Sequence, residues 1–212
     1  MTIDRDDLLN SIMASLDRID NIRSGELPDI DLYMDQVTNF LESRLKQSSR
    51  HPEEDKILTK TMINNYAKSN LLPPPDKKKY NKEQIVLLIL IYYSKGLLSM
   101  QDIEAMLNPI TERYYRSDGE INLCTVYDEL FSAEKERKEE IKEDIKRKFD
   151  LASQTFNDVP EEDREVLQNF ALIFMLGYDI YTKKLLVEKL LDEMAEAANV
   201  TEPDKKKNSK KK

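Results

Sequence analysis

The chain has 212 residues, of which 35% are charged and 40% hydrophobic, with a formal net charge of −8 and four glycines. That is long enough for one substantial core plus an accessory module, and its composition is that of a soluble helical protein; so little glycine leaves little room for a turn-rich β fold. No stretch approaches the roughly 20 apolar residues of a membrane span, Asp4, Asp6 and Asp7 stand where a signal peptide would be basic, and the lone Cys124 has no disulfide partner, so the expected location is a reducing cytoplasm.

From Thr2 to Ile22, the positions Leu8, Leu9, Ile12, Met13, Leu16 and Ile19 predict an acidic amphipathic helix, ended by Ser24, Gly25 and Pro28. Residues 1–28 are therefore expected to form a separate N-terminal element. Residues 29–45, with Leu32, Tyr33, Val37, Phe40, Leu41 and Leu45, predict a second helix. The polar run KQSSRHPEED (46–55) follows as a loop, in which His51 reads as a solvated side chain.

The next stretch, TKTMINNYAKSNLLPPPDKKKYNKEQIVLLILIYYSKGLLSMQDIEAML (59–107), is the densest in signals. Thr59 is placed to cap a helix carrying Met62, Ile63, Tyr66 and Ala67 at helical spacing. Asn70 tolerates the left-handed conformation that ends helices, and Pro73, Pro74 and Pro75 hold the chain extended. A basic connector, Lys77, Lys78, Lys79 and Tyr80, leads to Asn81, a cap for a helix with Ile85, Leu88, Ile89 and Tyr92 three and four apart. Gly96 breaks that helix, and Ser99 caps a further short one with Met100, Ile103, Met106 and Leu107.

The order helix, NYAKSNLLPPP, basic loop, YNKEQI, LLSMQDIEAML resembles the winged-helix DNA-binding domain of the MerR-type transcription regulators. More narrowly, TKTMINNY with LLPPPDKKKY resembles an uncharacterised bacterial family, catalogued as a domain of unknown function, that shares this architecture. The resemblance covers roughly residues 30–110. It implies a groove helix at 59–69, a basic wing at 77–80 and dimers held by a long C-terminal helix. The chain departs from the MerR pattern where Asn64 and Asn65 precede Tyr66 in place of Arg and Tyr, which removes a phosphate contact. Asn70 stands at a usual glycine, and Gly96 lies one residue early.

After Pro109 the sequence around Ser117, Asp118 and Gly119 predicts a connection. A helix resumes near Leu123 with Val126, Tyr127, Leu130 and Phe131, crosses EKERKEE and picks up Ile141, Ile145, Phe149, Ala152 and Phe156, with its charged middle projecting into solvent. Glu134 with Lys138, Glu143 with Arg147 and Asp144 with Lys148 are expected four-residue ion pairs. From Val159 to Asp163 a last helix restarts, with the heptad-spaced seam Val166, Phe170, Ile173, Gly177, Ile180, Lys184, Val187, Leu191 and Met194. Leu167, Phe174, Tyr178, Tyr181 and Leu185 widen the apolar face, so it is expected to pack in a bundle, within one chain or across a dimer. Thr201 to Lys212, charged and without apolar residues, is expected to be a disordered tail.

The acidic total hides a segregated distribution. Residues 44–100 carry a net +6, whereas residues 1–43 carry −7, residues 101–204 carry −13 and the last eight carry +6. Phosphate affinity follows a local basic face, and the only strongly basic structured segment coincides with the helix and wing. Enzyme signatures do not emerge: glycine at only 25, 96, 119 and 177 permits no dinucleotide fingerprint or phosphate-cradling loop, and one His with one Cys supplies no zinc site of the usual N/S type.

These features predict an all-α fold with at most a small β wing: an N-terminal helix at 1–28, a MerR-like winged helix-turn-helix domain at 29–110, C-terminal helices for dimerisation or partner binding at 111–200, and a tail at 201–212. The expected function is that of a DNA-binding transcriptional regulator, not an enzyme, with no cofactor or metal. Its double-stranded DNA would be met by Lys60, Asn64, Asn65 and Lys68 on the groove helix and by Lys77, Lys78, Lys79 and Lys82 at the wing. Asn can read adenine and Lys guanine or phosphate, while the wing lysines clamp the backbone. A homodimer would present two groove helices about one DNA turn apart, and the C-terminal helices offer room for a ligand or protein partner. The competing expectation is a helical interaction adaptor that keeps the winged-helix shape without binding DNA.

Overall fold

A computed structural model of the chain describes residues 5–19 and 21–201. Its helices are α1 (Arg5–Asp17), α2 (Met34–Leu45), α3 (Lys60–Lys68), α4 (Lys82–Ser94), α5 (Met100–Tyr114), α6 (Leu123–Leu130), α7 (Glu134–Ser153) and α8 (Glu161–Thr201). Among the described residues the regular β structure is one antiparallel pair, β1 (Leu32–Tyr33) with β2 (Lys79–Tyr80), in which Leu32 faces Tyr80 and Tyr33 faces Lys79. The fold is thus mostly α with a small β element.

Helix starts follow the capping chemistry of the sequence. Thr59 accepts the Met62 N–H at 3.2 Å, Asn81 that of Gln84 at 2.9 Å, and Ser99 that of Asp102 at 3.1 Å. Each satisfies an otherwise orphaned donor of a first turn. Asn70 closes α3 in the left-handed region, φ 60°. α4 is apolar nearly all round, and Ile85 through Ile89 and Ile91 are buried, as befits the central helix of a core.

That core runs from Ile22 to Tyr127. Ile22, Leu27, Leu32, Val37, Leu41, Ile63, Tyr66, Leu71, Leu72, Tyr80, Ile103, Leu107, Leu123 and Tyr127 all join α4 in one cluster. The Tyr127 hydroxyl donates to the buried Ile22 carbonyl at 2.6 Å, tying the first core residue to α6. The boundaries expected at 28 and 110 fall inside this cluster. A second, smaller cluster of Phe149, Ala152 and Leu172, with Leu8, Leu9, Ala171 and Leu176 against it, joins α1, α7 and the first half of α8. The salt bridges Lys142–Asp17 (2.6 Å) and Lys148–Asp179 (2.6 Å) brace it.

The structure corrects several sequence expectations. Leu32 and Tyr33 are extended, not helical, because their backbone pairs with β2. α5 continues through Pro109 to Tyr114. The helix expected to run unbroken from Leu123 to Phe156 is two helices, parted at residues 131–133, where Phe131 turns back to pack its ring against Tyr127 (4.9 Å between centroids). In α7, Glu134–Lys138 and Asp144–Lys148 form as expected, but Arg147 pairs with Asp144 at 2.5 Å and not with Glu143. Within a single chain α8 is not enclosed in a bundle. It docks by Gln168, Leu172 and Leu191, while Val166, Phe170, Ile173, Ile180 and Val187 of the heptad seam are exposed. At 3.6 residues per turn, Val166, Phe170 and Ile173 lie opposite the face carrying Gln168 and Leu172. Residues 202–212 of the lysine-rich tail lie outside the described residues. Among the described residues no helix is long and apolar enough to cross a membrane.

Candidate nucleic-acid interface

α3 is held by its apolar side. Ile63 and Tyr66 are buried, and burial also pushes the Tyr66 phenol above its ordinary pKa, so this ring serves the core. The opposite side, Lys60, Asn64, Asn65 and Lys68, is exposed. Four of the eight expected residues therefore share one solvent-facing surface of α3.

The basic connector is a two-residue hairpin. Asp76 and Lys79 exchange both backbone hydrogen bonds, at 3.0 and 2.8 Å, and between them Lys77 and Lys78 adopt φ values of 47° and 67°. Positive φ at both central residues is the type I′ turn, whose twist suits a tight hairpin and which ordinarily selects Asn-Gly. A lysine in the left-handed region costs about 1–2 kcal/mol. Two adjacent ones, both exposed, keep long cationic side chains at a turn whose geometry would rather have none. Such strain concentrates at functional sites.

The hairpin is anchored from below. Gln84 is buried, and its amide spans the site: its Oε1 accepts the Asn81 N–H at 2.8 Å, and its Nε2 donates to the carbonyls of Pro73 (2.9 Å) and Pro74 (3.2 Å). One side chain thus fixes both ends of the hairpin to the start of α4. From the other side Tyr33 of β1 places its exposed ring under the Lys79 ammonium, 5.1 Å from the centroid. Sequence reasoning missed both residues. The Gln three places after the Asn81 cap was a visible capping-box signal, whereas the Tyr33 contact depends on a strand pairing that periodicity does not announce.

The eight residues are not electrostatically equivalent. Lys60 is ion-paired with Asp35, and Lys82 with Asp29 at 2.9 Å. Among the described residues no salt bridge engages Lys68, Lys77, Lys78 or Lys79, and Lys79 is steered by Tyr33. The structure brings the α3 face and the hairpin together through β1, α2 and the shared core, and it sets acidic side chains of 29–35 against two of the expected contacts.

A family model described as Domain of unknown function (DUF1836) matches residues 22–130, just over half of the chain. The chain belongs to that family, and the matched span coincides with the larger core and contains the whole candidate surface. Comparison with curated proteins and with solved structures gives no significant match.

Proposed function

We propose that the protein is a DNA-binding transcriptional regulator of the MerR-like winged helix-turn-helix kind, with α3 as groove helix and the 77–80 hairpin as wing. The observation that carries this reading is the Lys77–Lys78 turn: two exposed lysines in a strained backbone, locked by Gln84, next to a helix whose free face carries Asn64, Asn65 and Lys68. Asn64 and Asn65 have the donor–acceptor pairs that read adenine, and the lysines supply phosphate contacts. Missing the arginine of the MerR triplet, the groove helix leans more heavily on its wing.

The regulator acts as a homodimer through α8. Its exposed seam includes Val166, Phe170, Ile173, Phe174, Ile180 and Tyr181, each more than half exposed. Contiguous apolar patches beyond roughly 300–600 Å² mark interaction sites rather than ordinary surface. Gly177 sits in the middle of this seam with nothing within 4 Å of where a Cβ would lie. A helix-interior glycine costs about 1 kcal/mol relative to alanine, and close approach of a second α8 gives that cost a purpose.

A titration of duplex DNA at two salt concentrations, native chain against a Lys77→Ala/Lys78→Ala/Lys79→Ala variant, tests the reading. The expected result is salt-sensitive binding that weakens in the variant with a shallower salt slope. Absence of binding by the native chain at low salt would favour the adaptor reading, to which the Lys60–Asp35 and Lys82–Asp29 pairs and the bare α8 face lend their support.

A further inference from the structure

Beyond the hairpin, one more cation is built into the same end of the fold. α5 ends at Tyr114, and the next two residues fold onto the first turn of α4. The Tyr115 hydroxyl accepts a hydrogen bond from Asn81 Nδ2 at 3.2 Å, and the Arg116 backbone N–H donates to Glu83 Oε2 at 2.8 Å. Asn81 directly follows the wing strand, so this turn is tied to the base of the hairpin. Arg116 is exposed, lies in the left-handed region at φ 55°, and holds its guanidinium over the Tyr115 ring, 5.5 Å from the centroid. Among the described residues five non-glycine residues have positive φ, and three of them, Lys77, Lys78 and Arg116, are cations.

The Glu83 carboxylate, which could have neutralised the guanidinium, is engaged by the Arg116 backbone N–H instead, and Arg116 has no carboxylate partner among the described residues. An exposed arginine beside an aromatic ring offers a planar fork of donors, and that fork matches phosphate geometry in a way a lysine does not. Nothing in the fold requires arginine here. The anchoring bonds come from the Arg116 backbone and from the Tyr115 hydroxyl.

We propose that the Tyr115–Arg116 turn is a second phosphate clamp, which binds the nucleic-acid backbone beside the start of α4 and works together with the wing. The clamp rests on the DNA-binding reading and extends the contact surface past the helix-and-wing unit, to a segment after α5. Its role is to fix register and orientation on the duplex, with no part in reading sequence.

The test is binding of a mixed-sequence DNA duplex by the full chain across roughly 50 to 200 mM salt, with Arg116→Ala, Arg116→Lys and Arg116→Gly beside the Lys77→Ala/Lys78→Ala variant. Arg116→Ala is expected to weaken binding about tenfold at the lower salt and to flatten the salt slope by about one. Arg116→Lys should keep most of the slope but lose part of the affinity. Arg116→Gly relieves the left-handed backbone, so it should melt higher than the native chain while binding as poorly as Arg116→Ala; a loss caused by misfolding would not give that combination. If Arg116→Ala and Arg116→Gly bind like the native chain while the wing variant is weakened, the clamp is overturned and the DNA reading stands. No binding by the native chain at the lower salt overturns both.

Discussion

At the scale of single residues, the proposed DNA-binding role of the 77–80 hairpin sets stability against binding. Lys78 at φ 67° occupies a conformation that glycine adopts freely. Lys78→Gly is expected to stabilise the fold by about 1 kcal/mol, the left-handed cost of a side chain, and to weaken DNA binding, so thermal melting and a binding titration should move in opposite senses. A parallel case is Asp35, whose carboxylate pairs with Lys60 across two exposed side chains. Exposed pairs contribute little to stability, so Asp35→Asn should leave the melting temperature unchanged. It should raise DNA affinity by releasing Lys60, and an unchanged affinity would remove Lys60 from the interface. Gln84 belongs to a different class. Gln84→Leu removes the three hydrogen bonds by which a buried amide holds Pro73, Pro74 and Asn81, so a loss of about 1 kcal/mol in denaturant melts is expected.

At the scale of elements, what was legible in the sequence was what local chemistry decides. Thr59, Asn81 and Ser99 cap the helices they were expected to cap, Asn70 takes the left-handed position, and Ile63, Ile85 and Ile89 are core as their spacing predicted, although α4 is buried on more than that one face. Illegible were the features that depend on a distant partner. Leu32 and Tyr33 carry a pattern fit for helix but pair with residues 79 and 80, and at the break of 131–133 Phe131 packs against the Tyr93 ring of α4, 6.2 Å between centroids. At the candidate site, composition exposed the lysines but not the carboxylates of Asp29 and Asp35 that engage two of them, nor the Tyr33 ring and the Gln84 amide that position the rest. α8 joins both cases. Its heptad spacing was plain, yet spacing cannot say whether a seam meets its own chain or another, and here Leu191 meets its own chain while Val166, Phe170, Ile173 and Ile180 face solvent. Phe170→Glu with Ile173→Glu should therefore leave the melting of the family domain intact and convert a dimer to a monomer in light scattering. A native chain that is already monomeric at high concentration would remove the dimer from the reading.

At the scale of the whole molecule, the two clusters are held by different forces, and this predicts how the protein comes apart in acid. The larger cluster, from Ile22 to Tyr127, is apolar and closed by the buried Tyr127–Ile22 hydrogen bond. The smaller one combines three buried residues with the bridges Asp17–Lys142 and Asp144–Lys148–Asp179. The hydrogen bond from Lys142 holds the Asp17 carboxyl below its ordinary range, and that from Lys148 does the same for Asp144, with Arg147 adding to it. A carboxyl whose folded pKa is depressed contributes stability that is fully present above its unfolded value, near 3.8 for aspartate. That contribution is lost as pH falls through the lower folded value. The docking of α1 on α7 should therefore weaken below about pH 4, where the larger core, whose buried members are almost all apolar, still holds. Hydrogen exchange read helix by helix, at neutral pH and again at about pH 3, should show α1 losing protection while α4 keeps it. Simultaneous loss in α1 and α4 would mean that the two clusters unfold as one cooperative unit, and that the family domain does not stand apart from the helices that flank it.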